Sequence, residues 1–285
     1  MNIRQFLSPL TLSIKGKIIQ LTRPLVMGII NVTPDSFYSE SRAEDIEDVL
    51  KRVKTMLQEG ADIIDIGACS TRPGSKSVSA EEEMRRLSPA LEAIRKEYPE
   101  ALLSVDTFRA SVAEECLNKW GVDIINDVSG GSDPDMYRVV AKYNAGYILM
   151  HMRSTPENME KHCDYKDVVT DVIRELAFRI NKAHAEGVCN VIVDPGFGFA
   201  KDLTHNYMLL KHLEYFKVLG CPILVGVSRK RMTREGDDPS SEAAKVASIA
   251  LNAVAISKGA NIIRVHDVRE SVATAKSIGK LWNLE

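Results

Sequence analysis

Short apolar runs separated by helical repeats set the plan of this chain. Runs at 25–30, 63–66, 102–105, 124–125, 148–150, 191–193, 223–225 and 262–265 are rich in β-branched residues. They lack polar alternation, as strands buried on both faces do. Between the first two, Ile46, Val49, Leu50, Val53, Met56 and Leu57 fall on one helical face. Helices are predicted over 79–98, 109–119, 135–143, 167–186, 203–216, 241–258 and 268–282. Ser41 with Glu44, and Ser79 with Glu82, have capping-box spacing. Pro89 predicts a kink in its helix. Ahead of the first run, residues 11–20 alternate apolar and polar about Lys15-Gly16, which predicts a small hairpin.

A submotif recurs within this pattern. Gly60-Ala-Asp-Ile-Ile-Asp65, Gly121-Val-Asp-Ile-Ile-Asn126 and Gly259-Ala-Asn-Ile-Ile-Arg264 each join a helix-ending glycine to a short strand with a polar end. Gly187 with Ile192, Val193 and Asp194 is a looser copy. Repeated units of this kind are successive β–α pairs, and about eight of them fit a (β/α)8 barrel. The expected organisation is one α/β barrel domain over 1–285, with residues 1–24 an extension carrying the hairpin. A doubly wound open sheet is the alternative, but no G-x-G-x-x-G follows the first strand.

In a barrel, ligands bind at the C-terminal ends of the strands, so the residues there become the candidate chemistry. The first run stops at Asn31 and gives way to Thr33, Pro34, Asp35 and Ser36, where proline forces a loop. Taken alone, that stretch could be a polar turn capping a strand. Around the ring follow Thr71-Arg72-Pro73, Asp106, Asn126-Asp127, Met150-His151, Asp194, Ser228-Arg229-Lys230, and Arg264 with His266. All are expected to point at one mouth.

Their chemistry divides into two halves. Arg264 and His266 are two apart and project to one face. With the next helix N-terminus they suit a phosphate or pyrophosphate, and Asn31 can add an oxygen to Mg²⁺ riding on those phosphates. Asp106 and Asp194, with Asn126 and Lys230, suit a flat heterocycle bearing amino, ring N–H and carbonyl groups. Met150 and Phe199 could pack on its faces.

Composition narrows the partners. The 285 residues are 45% hydrophobic and 27% charged with formal net charge −2, which argues against nucleic-acid and anionic-membrane partners. No apolar stretch reaches the roughly 18–20 residues that cross a bilayer. The first residues lack a signal-peptide core, so a cytoplasmic location is expected. Cys69, Cys116, Cys163, Cys189 and Cys221 have no CxxC spacing and read as reduced thiols.

NVTPDSF, STRPG, SVDT, INDVSGG, DPGFGF, SRK and RVHDV, in this order from Gly28 to Val268, resemble dihydropteroate synthase. The resemblance implies condensation of a dihydropterin-CH₂-pyrophosphate with p-aminobenzoate, giving 7,8-dihydropteroate and pyrophosphate for folate synthesis. It also implies Mg²⁺, a homodimer and inhibition by sulfonamides. Asp106, Asn126, Val128, Met150, Asp194, Phe199, Gly226 and Lys230 match the family's pterin pocket. Asn31, Arg72, Arg264 and His266 match its pyrophosphate and Mg²⁺ site. Asp35, Phe37, Thr71, Arg72 and Pro73 match two loops that close over the reaction, with Ser228 and Arg231 at the p-aminobenzoate end. The family's chemistry assigns catalysis to Asp35, Arg72, Lys230, Arg264 and His266.

Four departures stand out. Cys69 replaces a common glutamate and Ala200 a common glycine. Tyr38-Ser39-Glu40-Ser41 replaces a glycine-rich run, and Arg231 replaces a serine. Cys69 is expected to be inert. Two other functions compete with the synthase. A pterin-dependent methyltransferase would leave the RVHDV pair without a purpose. A non-catalytic pterin-binding paralogue is expected to lose Asp35, Arg72 or the Arg264–His266 pair, and this chain keeps all of them.

Overall fold

The computed structural model describes residues 10–32, 42–69, 78–153, 163–234 and 241–282. The predicted hairpin forms from β1 (Thr11–Ile14) and β2 (Lys17–Gln20), which pair antiparallel. Seven β–α pairs follow in the order β3 (Leu25–Asn31), α1 (Arg42–Glu59), β4 (Ile63–Gly67), α2 (Ala80–Glu97), β5 (Leu102–Asp106), α3 (Ala110–Lys119), β6 (Ile124–Asp127), α4 (Met136–Lys142), β7 (Gly146–Met150), α5 (Val168–Ala185), β8 (Asn190–Asp194), α6 (Leu203–Lys211), β9 (Leu224–Val225) and α7 (Glu242–Ser257). Strand β10 (Ile262–Val265) and α8 (Val268–Trp282) complete the set.

The eight later strands are parallel in the order β8-β7-β6-β5-β4-β3-β10-β9. A parallel bridge between Val193 and Ile223 joins the two ends, and Val193 N–H donates to the Pro222 carbonyl at 2.8 Å. The sheet is thus a barrel, and the open-sheet alternative fails. The copies of the submotif turn as expected: Gly60, Gly121, Gly187 and Gly259 all have positive φ, where a Cβ would be strained.

Side-chain alternation splits each strand between lumen and outer layer. The outward set, including Val26, Ile30, Ile64, Ile66, Val105 and Val265, joins helix residues such as Val53, Leu87, Leu91 and Leu176 in the main core. Serine and aspartate caps start the helices that press this core. Ser79 accepts from Glu82 N–H at 3.2 Å, Asp167 from Thr170 N–H at 2.7 Å and Ser241 from Ala244 N–H at 3.1 Å. The Ser41–Glu44 box lies outside the described residues.

The lumen is apolar at one end only. Leu12 and Ile14 of the hairpin pack with Leu25, Met27, Ile63, Ile124, Ile148, Ile192, Leu224 and Ile262 and plug the N-terminal end of the barrel. Asn190 fastens the plug: it accepts from Ser13 N–H at 2.7 Å and donates to the Ser13 carbonyl at 2.9 Å. The open mouth is therefore the opposite end.

One helix differs from its expected course. The 203–216 helix stops at Lys211, and a 3₁₀ helix (Leu213–Leu219) follows. The three-residue period of the latter places Leu213 and Phe216 together in the core.

Candidate active site

At the mouth, the lumen turns polar within one step of the apolar plug. Asp65, Asp106, Asn126, Asp194 and Arg264 project inward from β4, β5, β6, β8 and β10. Asp65 is wholly buried, and Asp106, Asn126 and Asp194 nearly so. Arg264 Nε donates to Asp65 Oδ2 at 2.6 Å, and its Nη2 donates to Asp106 Oδ2 at 2.9 Å. Asn126 Nδ2 donates to the same Asp65 oxygen at 3.1 Å. The two halves read from the sequence are therefore one network, since Arg264 is bound to the carboxylate of the heterocycle half.

Burial sets the charge states here. It pushes the Asp106 carboxyl up to about 7, with Arg264 opposing and Asp65, Glu83 and Asp127 adding to the rise. Asp194 is also raised by burial, against the pull of Lys230, and Gly196 N–H donates to its Oδ1 at 2.7 Å. Lys230 is pulled down to about 8 by burial, with Asp194 opposing.

An apolar wall stands beside this network. Val128, Met150, Met152, Phe199 and Ala200 form a cluster with Phe108 packed against it. Lys230 Nζ lies 4.5 Å from the centre of the Phe199 ring and donates to the Phe197 carbonyl. An apolar face next to buried acceptors and an ammonium suits a flat, polar-edged ring. Gly226, on the run after β9, lies beside Arg264: a Cβ there would meet Arg264 Cβ at 3.7 Å, an ordinary van der Waals contact.

His266 sits on the Arg264 side of the mouth. Its Nδ1 is 3.0 Å from Ser228 Oγ, which also accepts from His266 N–H at 3.2 Å. Ser228 Oγ can donate to or accept from Nδ1; where it donates, the neutral ring carries its proton on Nε2. Burial and then Arg264 pull its pKa down to about 4, so at neutral pH it offers a hydrogen bond without charge. Asn31 closes β3 half-buried, paired with Gly67. Among the described residues no group of three His, Cys, Asp or Glu could hold a metal. A single amide oxygen at Asn31 fits an ion that arrives with substrate phosphates.

Two ring positions point the other way. Asp127 and His151 follow inward-facing Asn126 and Met150, so alternation turns them outward. Asp127 accepts from Ser129 N–H at 2.8 Å, Gly131 N–H at 2.8 Å and the Tyr147 hydroxyl at 2.7 Å, and it shapes the loop after β6. His151 bridges Glu175 Oε2 at 2.9 Å and Lys201 Nζ at 3.0 Å. Lys201 also donates to the carbonyls of Gly196 at 3.0 Å and Phe199 at 2.9 Å, holding the segment that carries Asp194 and Phe199.

Of the remaining candidates, Asp35, Phe37, Thr71, Arg72 and Pro73 lie outside the described residues. Arg231 is exposed at the start of a short 3₁₀ turn (Arg231–Thr233). Ala200 adopts φ +49, the left-handed conformation natural to the glycine it replaces. Cys69 is 3.9 Å from Arg109 Nη1, and burial and then Glu83 push its thiol up to about 12. A thiol that rarely ionises is a poor nucleophile.

Asp65 and Lys201 were not among the residues singled out as candidates. Asp65 had a signal, because it ends the same submotif as Asn126 and Arg264, the two residues it binds.

Comparison with known proteins agrees with this geometry. The model of the pterin binding enzyme family matches residues 27–266. Dihydropteroate synthase of Escherichia coli K12 is 39% identical over 266 residues, covering 93% of this chain and 94% of the relative. The mitochondrial folate synthesis bifunctional protein of Arabidopsis thaliana is 44% identical over 270 residues; the match covers 88% of this chain and 48% of that protein. The chain thus spans about half the length of that two-function relative. Among solved structures, Xanthomonas albilineans dihydropteroate synthase with 4-aminobenzoic acid superposes with a TM-score of 0.88 at 36% identity, covering 98% of this chain and 100% of that one. This chain, a closed barrel with a polar mouth, matched by the family's model over residues 27–266 and by relatives over most of its length, belongs to the pterin binding enzyme family.

Proposed function

We propose that this chain is a dihydropteroate synthase: it condenses 6-hydroxymethyl-7,8-dihydropterin pyrophosphate with p-aminobenzoate, releasing pyrophosphate. The observation that carries the reading is the set of buried Asp106, Asn126 and Asp194 with half-buried Lys230 beside the Met150–Phe199 wall, joined through Arg264 to the His266 side of the mouth. A pterin ring has the matching donors and acceptors and a flat face. A pyrophosphate arm reaches Arg264 and Nε2 of His266.

The chemistry is dissociative. The bond from the exocyclic carbon to the bridging pyrophosphate oxygen breaks, the electron pair leaves with pyrophosphate, and the carbon becomes a cation delocalised into the ring. Arg264 and His266 stabilise the leaving group, and Asp35 stabilises the cation. The weakly basic amine of p-aminobenzoate then forms the new C–N bond and loses a proton. Asn31, together with the substrate phosphates, would hold Mg²⁺, which would supply further charge neutralisation of the leaving group. Arg72, Thr71, Pro73 and Phe37, with Ser228 and Arg231, shape the p-aminobenzoate end and exclude water that would capture the cation.

Sulfonamides that copy p-aminobenzoate compete at that end. The protein works as one barrel domain within a homodimer in the cytoplasm. No helix among the described residues is long and apolar enough to cross a membrane.

The test is pyrophosphate release from the dihydropterin substrate. Release that requires Mg²⁺, is stimulated by p-aminobenzoate and yields dihydropteroate supports the reading. Pterin binding without turnover, or no pterin binding, overturns it.

A further inference from the structure

We propose that Asp65 is a positioning residue that sets the working orientation of Asn126 and Arg264. The inference rests on the pterin reading of the site. The three residues are the polar ends of the recurring submotif, delivered by β4, β6 and β10 into one layer of the lumen. Alternate strands supply such layers in barrels. Asp65 Oδ2 receives both neighbours, Arg264 Nε at 2.6 Å and Asn126 Nδ2 at 3.1 Å. The carboxylate is wholly buried, so neither bond competes with solvent.

Each contact has a consequence for recognition. An amide can flip and exchange its donor for its acceptor. With Nδ2 turned to Asp65, Asn126 presents Oδ1 to a ring as an acceptor. A guanidinium shared between Asp65 and Asp106 is fixed at two nitrogens and keeps its plane. Without Asp65, Arg264 would pair with Asp106 alone, and the acceptor that Asp106 offers a ring N–H would be turned and more fully neutralised. Asp65 therefore acts on the pterin end of the reaction and not on the amine end.

Electrostatics gives a separate mark of the same arrangement. Arg264 and Lys230 favour ionised Asp106, whereas Asp65, Glu83 and Asp127 oppose it. Removing the Asp65 charge lowers the pKa of Asp106.

The experiment is steady-state kinetics of full-length wild type and Asp65→Asn across pH 5.5–9, with folding checked by circular dichroism. Loss of charge-assisted hydrogen bonds predicts a rise of about tenfold to a hundredfold in KM for the pterin substrate. KM for p-aminobenzoate should stay within about twofold. The acid limb of kcat/KM for pterin should move to lower pH. Equal changes in both KM values, or an unmoved limb, in a folded variant overturn the proposal.

Asn126→Asp tests the same contact with Asp65 intact, should Asp65→Asn fail to fold. It keeps the ring-facing oxygen, removes the donor and sets a like charge against Asp65. The proposal expects it to lose at least as much pterin affinity as Asn126→Ala; retained affinity overturns it. An inactive wild type that binds no pterin would sink the functional reading instead.

Discussion

Acid should unfold this protein through His151, and the size of the effect follows from its surroundings. The imidazole is wholly buried between Glu175 Oε2 at 2.9 Å and Lys201 Nζ at 3.0 Å. Lys201 spends its three ammonium hydrogens on His151 Nδ1 and two carbonyls, so Nδ1 must accept and the ring is neutral with Nε2–H. Burial and then Lys201 pull the His151 pKa from 6.5 to about 3.

The unfolded chain therefore binds a proton that the folded one refuses between those values. The His151 contribution is fully present above pH 6.5 and falls by about 1.4 kcal/mol per pH unit below it. At pH 4.5 the loss is about 2.7 kcal/mol, a large part of a typical stability of 5–15 kcal/mol. Against the effect of burial, hydrogen bonds from His151 and Arg153 hold Glu175 to about 2, and it stays ionised through this window. Lys201, lowered to about 7 by burial, titrates above it.

The perturbation is His151→Gln, which cannot titrate and keeps one of the two hydrogen bonds. Losing the other costs about 1–2 kcal/mol, so at pH 7 the variant should be the less stable. By pH 4.5 the wild type should have lost that advantage, and the order should close or invert. Urea unfolding followed by tryptophan fluorescence at pH 4.5, 5.5 and 7 measures both curves. A gap between variant and wild type that stays constant with pH would refute the reasoning.

Other consequences can be measured as directly. If Asp106 must be ionised and Lys230 charged, kcat/KM for the pterin substrate should rise through about pH 7 and fall through about pH 8; a profile flat from pH 6 to 9 would contradict the assignment. Ile14→Ala, at the barrel plug, should cost about 2–4 kcal/mol of stability while kcat and both KM values hold, as thermal melts and kinetics would show. Gly131→Ala should destabilise the protein severely, because its Cβ would sit 2.2 Å from the Tyr137 hydroxyl at φ +82; an unchanged melting temperature would refute this. Alkylation at pH 8 followed by mass spectrometry should mark exposed Cys189 well before Cys69, whose thiol lies near 12.

The strands were legible because a barrel strand is buried on both sides, and the β-branched runs of this chain have no other use. Helix starts were legible where a serine or aspartate meets a backbone N–H three residues on. The site was readable as a set of polar strand ends. What adjacency in sequence could not supply was the two-residue alternation: Asp127 and His151 sit beside Asn126 and Met150 yet face the helices. The bond between Arg264 and Asp106 joins β10 to β5, 158 residues apart, and no local pattern encodes it. Asp65 looked like one polar residue in an apolar strand until its partners stood beside it.

The hairpin plug also constrains the order in which the chain can fold. Ser13 is secured by Asn190, 177 residues later, so the hairpin cannot be fastened in place until β8 exists. A contact of such long sequence separation is entropically costly to close early, and it slows folding. Until then Leu12 and Ile14 lack the part of their cover that Ile192, Leu224 and Ile262 supply. A chain ending before β8 would therefore carry an unfinished barrel with a loosely held ribbon at its base, which is the species a chaperone would be expected to meet.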